Sequence, residues 1–231
     1  MGASIAGRLL SRGHAVTVWN RTAGKADPLA DAGAQVAVTP AQLAAAAEFV
    51  ITIVTDSAAI DAVYHGKEGL LAGDIAGRLF IDMSTVRPAT VQALAAKVRA
   101  KSAAFVECPI GGSVDPARDG KLLGFAGGEA GDVARARPVL DQLCRRVEHV
   151  GPVGAGASMK LAINLPLHVY WQTLGEALSL CMPRGLAPAR LLDIFADTSG
   201  APNVLKARVG TIAAALGSAD ERGRRIAGLE A

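Results

Sequence analysis

The sequence predicts an α/β protein in which a doubly wound, mostly parallel sheet over residues 1–152 is followed by a smaller all-helical domain over residues 153–231. Three observations carry that prediction. Short apolar runs bounded by turn residues alternate with amphipathic helix patterns through the first two thirds of the chain. The runs are nearly continuous in their hydrophobicity, as strands covered on both faces are. After Gly151 the strand runs cease, and a long apolar helix pattern replaces them.

The chain opens on a helix, because Ile5, Leu9 and Leu10 give the spacing of one buried face and Gly13 stops it. Ala15 to Trp19 is a short strand rich in β-branched residues, closed by Asn20, Arg21 and Thr22. Helix then strand is the second half of a β-α-β unit, so the strand that should precede the helix is expected to be missing. Further strands read at Phe49 to Val54, Arg78 to Ser84, Ala104 to Cys108, Leu122 to Gly128 and Arg145 to Gly151. Between them, Val91, Leu94, Ala95 and Val98 mark one helix, and Val133, Val139, Leu140 and Leu143 another. The stretch from Gly151 reads as a long helix, apolar around much of its circumference, bent at Pro166 and buried on several sides. Pro183 and Gly185 end it, and Pro188 to Ala196 begins the next.

Composition narrows the function classes. With 51% hydrophobic and 19% charged residues the chain folds rather than staying disordered. The net charge of +3 is spread along the chain except at Arg222, Arg224 and Arg225, and only 4% of residues are aromatic. A nucleic-acid surface needs a denser basic stripe, with aromatics for single strands, so no nucleic-acid partner is expected. Cys108, Cys144 and Cys181 are odd in number, far apart and in no C-x-x-C arrangement, which fits buried thiols in a reducing compartment and neither a disulfide framework nor a metal site. No basic segment followed by an apolar one opens the chain, and the longest charge-free stretch, Leu161 to Gly175, is too short and polar to span a bilayer. A cytoplasmic protein with no membrane partner is expected.

Ligands of open α/β sheets bind outside the carboxyl ends of the strands, so candidate residues are sought there. Gly2 stands where the last glycine of a dinucleotide fingerprint would stand, just before a helix, although it reads equally as an ordinary glycine after an initiator methionine. Asn20, Arg21 and Thr22 follow the next strand, where NAD enzymes carry an acid for the ribose 2′-hydroxyl. Arg21 instead suits a 2′-phosphate and hence NADP over NAD; the alternative is a solvated surface arginine. Ser84 and Thr85 offer hydroxyls that reach a nicotinamide or substrate, or else cap the helix started by Pro88. Gly111, Gly112 and Ser113 form either a backbone nest for a carboxylate or a glycine turn. Lys160 and Asn164 stack one turn apart after a flexible lead of Gly151, Gly154 and Gly156. A lysine near a helix start opposes the dipole there, which, with apolar neighbours, is expected to lower its pKa toward acid/base use.

Together these motifs resemble the β-hydroxyacid dehydrogenase family, the group that contains 3-hydroxyisobutyrate dehydrogenase and, more distantly, 6-phosphogluconate dehydrogenase. The resemblance runs from Met1 to about Leu216 and rests on MGASIAGRLLSRGHAVTVWNR, DMSTVRP, ECPIGG and the spacing of Gly154, Gly156, Lys160 and Asn164. It implies a Rossmann-type sheet and reversible hydride transfer between NADP(H) and a small β-hydroxyacid or its semialdehyde. It further implies Lys160 as general acid/base and Asn164 as a substrate contact. Val54, Thr55 and Thr85 would line the cofactor, and Gly111, Gly112 and Ser113 would cradle a substrate carboxylate. Homodimers or homotetramers are the family's usual assemblies.

The chain departs from the family pattern in three places. It begins at the third glycine of the fingerprint. Gly111 stands where many relatives have serine, which leaves open a different acid, such as a sulfonated or longer semialdehyde. The last segment, GSADERGRRIAGLEA, lacks the lysine-aspartate helix of the family. A truncated, catalytically impaired nucleotide-binding or interaction module is therefore the alternative reading. An imine reductase relative is disfavoured by the lysine at position 160.

Overall fold

Alternation within two buried strands decides which helices each face of the sheet receives. A computed structural model describes residues 1–217, so the late arginines and the terminal segment singled out above lie outside the described residues. In chain order the elements begin with α1 (Gly2–Ser11), β1 (Thr17–Val18), α2 (Asp27–Asp31), β2 (Gln35–Val36), α3 (Pro40–Ala46), β3 (Phe49–Thr52) and α4 (Ser57–His65). They continue with β4 (Leu79–Asp82), α5 (Pro88–Arg99), β5 (Ala104–Glu107), β6 (Ile110–Gly111), α6 (Val114–Asp119), β7 (Leu122–Gly127) and α7 (Ala130–Leu143). Then come β8 (Cys144–Gly151), α8 (Ala155–Cys181), α9 (Pro188–Ala196) and α10 (Asn203–Gly217).

Leu79, Ile81 and Val106 point to one face, where they meet Ile5 and Leu9 of α1 and Val133, Ala136, Leu140 and Leu143 of α7. Phe80 and Phe105, one residue out of phase, point to the other, against Ile60 and Tyr64 of α4 and Val91, Leu94 and Val98 of α5. That period of two, with helices on both faces, is the doubly wound arrangement the sequence predicts.

The strands form two sheets. β1 pairs with β2 in parallel, and a six-stranded sheet runs β3-β4-β5-β7-β6 with β8 on β7. β3, β4 and β5 are mutually parallel, and β8 is parallel to β7. β7 itself is antiparallel to β5 and β6. The reason lies in the short connection from β6 through α6, because a parallel crossover takes about a dozen residues or more. No hydrogen-bonded pairing joins the β1–β2 ribbon to β3 among the described residues.

The chain forms two compact units, the first over Met1–Asn164 and the second from Leu165 onward. The break therefore falls inside α8, later than the glycine-rich lead where the sequence suggested it. In the second unit Leu174 and Leu178 of α8 pack with Leu191, Leu192 and Ala196 of α9 and with Leu205 and Ile212 of α10. The 3₁₀ turn Met182–Arg184 and the left-handed Gly185 end the long helix where expected, and Pro166 lies inside an unbroken element. One expectation fails. α8 is not buried on several sides: Leu165 is 65% and Leu180 77% exposed, with Leu161, Ile163 and Val169 also in solvent. The stripe that α9 and α10 cover is narrower than the apolar circumference of the helix. No helix among the described residues is long and apolar enough to cross a membrane.

Leu140 is fully buried between α7 and the sheet. Leu140→Ala is expected to lower the unfolding free energy by about 2–5 kcal/mol, read from the urea midpoint at unchanged slope. A loss below about 1 kcal/mol would mean that this face of the core repacks freely.

Candidate active site

Two acids end the central parallel strands in register, Asp82 on β4 opposite Glu107 on β5, and both are fully buried. Burying a carboxylate is costly unless it is hydrogen-bonded, so each must recruit donors from the loops around it. Those donors build the site.

Asp82 organises the ends of β3 and β4. Its Oδ1 accepts hydrogen bonds from Thr52 Oγ1 at 2.7 Å and Ser84 Oγ at 2.9 Å. The Tyr64 hydroxyl bonds Thr52 Oγ1 at 2.8 Å, and the Val54 N–H donates to Ser84 Oγ at 3.0 Å. Asp82 Oδ2 is buried without a hydrogen-bond partner. Burial pushes the Asp82 carboxyl up to about 6, against the two hydroxyls that favour its charged form.

This network corrects the reading of Ser84 as a substrate contact. Ser84 is 2% exposed, and its hydroxyl is committed inward, donating to Asp82 and accepting from Val54. It clips the loop after β3 to the end of β4. Thr85, the next residue, is the exposed one.

Glu107 organises the start of α8. Its Oε1 accepts from the N–H groups of Gly154 and Gly156, and its Oε2 from Ala157 N at 3.0 Å. These are N–H groups that a helix start leaves without intrahelical partners. Burial raises the Glu107 pKa most, the three N–H groups oppose that, and the neighbouring Asp82 adds to the rise. The glycines here are not a flexible lead. Gly154 has φ +103° and a Cβ would meet Gln92 Nε2 at 2.6 Å, while Gln92 itself donates to Val153 O at 3.2 Å. A Cβ on Gly156 would collide with the Phe125 carbonyl oxygen. Both positions are glycine because the lead is packed tightly.

Lys160 follows in the second turn of α8, half-buried, and Asn164, also half-buried, lies one turn further on. The Lys160 pKa is lowered, as expected from the sequence, by burial of the ammonium. The first-turn N–H groups that carry the positive end already have a carboxylate.

On the other side, Gly2 opens α1 against Ile53, whose Cγ2 lies 3.3 Å from where a Cβ would be. The first turn of α1 holds no acidic residue and its N-cap contributes no side-chain bond. Asn20, Arg21 and Thr22 are exposed after β1, and Asn20 Nδ2 donates to Thr22 O at 2.8 Å. Arg21 interacts electrostatically with Asp56, the N-cap of α4. Thr55 is exposed, donating to Asp56 Oδ2 at 3.2 Å, and Val54 is half-buried. The structure thus groups Gly2, Arg21, Val54 and Thr55 around the carboxyl ends of β1 and β3, with Thr85 at the end of β4. Gly111 ends β6, Gly112 adopts φ +130° with Leu122 Cδ2 2.8 Å from a Cβ position, and Ser113 is the exposed N-cap of α6. Its positive φ, which residues with a side chain rarely adopt, explains the glycine at 112.

Asp82, Glu107, Thr52, Tyr64 and Gln92 escape the sequence reading. A signal exists for the two acids: each interrupts an otherwise apolar strand run, FID and FVE, just where the strand ends.

Residues 1–151 match the family described as the NAD binding domain of 6-phosphogluconate dehydrogenase. Glyoxylate/succinic semialdehyde reductase 1 of Arabidopsis thaliana is 37% identical over 195 residues, covering 84% of this chain and 68% of that protein. The chain belongs to the β-hydroxyacid dehydrogenase family. Its 3-hydroxyisobutyrate dehydrogenase relative from Pseudomonas aeruginosa is 36% identical over 200 residues, 87% of this chain and 67% of that one. Among solved structures, Psf3 in complex with NADP+ and 2-OPP superposes with a TM-score of 0.84 at 30% identity, over 95% of this chain and 77% of that chain. The family assignment brings with it a Rossmann-type fold and a nicotinamide dinucleotide as cofactor.

Asp82 gives a measurable pH signature. A carboxyl whose folded pKa of about 6 exceeds its unfolded value near 3.8 costs nothing while both states are protonated, and its full cost is present once pH passes 6. Relative to wild type, Asp82→Asn is therefore expected to gain roughly 2.5 kcal/mol of unfolding free energy between pH 4 and pH 7, from denaturant titrations. A difference that stays flat with pH would show that Asp82 titrates normally.

Proposed function

We propose that this chain is an NADP-preferring oxidoreductase that moves a hydride between the nicotinamide and a small β-hydroxyacid or the corresponding semialdehyde. The observation that carries the reading is Lys160, a half-buried lysine of reduced basicity one turn from Asn164, on a helix whose first turn is locked to the end of β5. The named activities of the two curated relatives, toward glyoxylate/succinic semialdehyde and 3-hydroxyisobutyrate, support the substrate class.

The residues present fit the dinucleotide. The first turn of α1, free of acidic side chains, suits a pyrophosphate; Arg21 suits a 2′-phosphate; Val54, Thr55 and Thr85 suit the nicotinamide half. When bound, the cofactor supplies or accepts the hydride. Lys160 Nζ exchanges a proton with the substrate oxygen as the hydride moves at carbon, so that charge does not build on that oxygen. Burial of Lys160 makes its proton easier to give than that of a surface lysine. Asn164 orients the substrate oxygen, and the N–H groups around Gly111, Gly112 and Ser113 receive the substrate carboxylate.

The region after residue 152 serves subunit association in this reading. Exposed Leu165, Val169 and Leu180 on α8 supply the apolar surface for a homodimer or homotetramer. Free thiols at Cys108 and Cys144 support a cytoplasmic, reducing compartment.

Fluorescence titration with NADPH and NADH, followed by a screen of glyoxylate, succinic semialdehyde and 3-hydroxyisobutyrate, tests the reading. Arg21→Ala is expected to weaken NADPH roughly 10- to 100-fold and leave NADH unchanged. Lys160→Ala is expected to lose about 10²- to 10⁴-fold in turnover with NADPH affinity intact. NADPH binding without turnover of any such acid by the wild type would favour the non-catalytic module instead.

A further inference from the structure

We infer that Glu107 is a positioning residue for Lys160: its carboxylate fixes the first turn of α8 and sets the ammonium's electrostatic surroundings. The inference rests on the proposed role of Lys160 and extends it to a residue that touches neither substrate nor cofactor.

The geometry supports it at three levels. Glu107 accepts from Gly154, Gly156 and Ala157, so one side chain from β5 fixes the direction in which α8 departs. Gly156 and Ala157 stand four and three residues before Lys160, on the same side of the helix. Helical side chains lean toward the N-terminus, so the Lys160 stem lies over the turn that Glu107 holds. The surroundings leave no slack. A Cβ on Gly127 would strike Glu107 Oε1, and one on Gly156 would lie 3.2 Å from Glu107 Cδ.

The charge matters as well as the bonds. A helix start carries about half a positive charge, which disfavours an ammonium nearby, and a carboxylate on its N–H groups offsets it. The other titratable groups beside Glu107 are Asp82 on β4 and the thiol of Cys108, neither of which adds positive charge. Removing the Glu107 charge alone should therefore make Lys160 less basic still. Loosened packing alone would instead expose Lys160 and move its titration the other way, up toward the ordinary lysine value.

Competitive labelling tests this without any turnover. Lys160 in the full chain is acetylated by trace acetic anhydride across pH 7–11, and its labelling midpoint is read by mass spectrometry in wild type, Glu107→Gln and Glu107→Asp. Glu107→Gln is expected to lower the midpoint by about 0.5 pH unit, and Glu107→Asp to return it to within about 0.2 of wild type. Coincident midpoints in folded wild type and Glu107→Gln would overturn the inference. Should Glu107→Gln fail to fold, hydrogen exchange on the wild type decides instead. Gly154, Gly156 and Ala157 have no intrahelical acceptor, so protection of their amides that fades as Glu107 is protonated supports the inference, and unprotected amides at neutral pH refute it. A wild type that labels as expected yet turns over no acid would fail the enzymatic reading and leave this one standing.

Discussion

A carboxylate sealed at the end of a central strand has to find its partners in protein, and Glu107 finds them in the opening turn of α8. Burying such a charge alone costs several kcal/mol, whereas hydrogen bonds to a charged group contribute about 1.5–3 kcal/mol each. Three of them hold the two elements together. The consequences spread outward from that junction. Gly154 and Gly156 must be glycine so that the backbone can approach, Gln92 must bind Val153 to hold the lead in place, and Lys160 must fall one turn beyond the locked segment.

Asp82 is the same problem solved incompletely. One oxygen is satisfied twice and the other not at all, so the carboxyl stays near the point of accepting a proton. What it obtains is order in the loop after β3, through Thr52 on one side and through Ser84 and Val54 on the other. Incomplete satisfaction of this kind clusters where function constrains the fold more than stability does.

Much of this was legible in the sequence, and the rest was hidden for identifiable reasons. Strands β3, β4, β5 and β7 were readable because strands covered on both faces leave nearly unbroken apolar runs, and β8 because turn residues bound it. β2 and β6 are two residues each and α2, α3 and α6 at most two turns, too short for any period to show. The reversed direction of β7 depends on how long its connection is in space, not on its own residues. The exposure of α8 was hidden because apolarity says that a face wants cover, not that this chain supplies it. At the site, the spacing of Lys160 and Asn164 was enough to bring them forward. Ser84 was misread because adjacent hydroxyls at a strand end look alike until the pleat turns one inward. Glu107 was missed because its role is to hold another element, which leaves no local pattern.

The small β1–β2 ribbon has a consequence of its own. It carries the segment around Arg21, yet it is held by two register pairs and, among the described residues, shares no ladder with the six-stranded sheet that bears Asp82 and Glu107. In the proposed reading, the segment suited to the 2′-phosphate and the helix turn that leads to Lys160 are therefore held by different sets of hydrogen bonds.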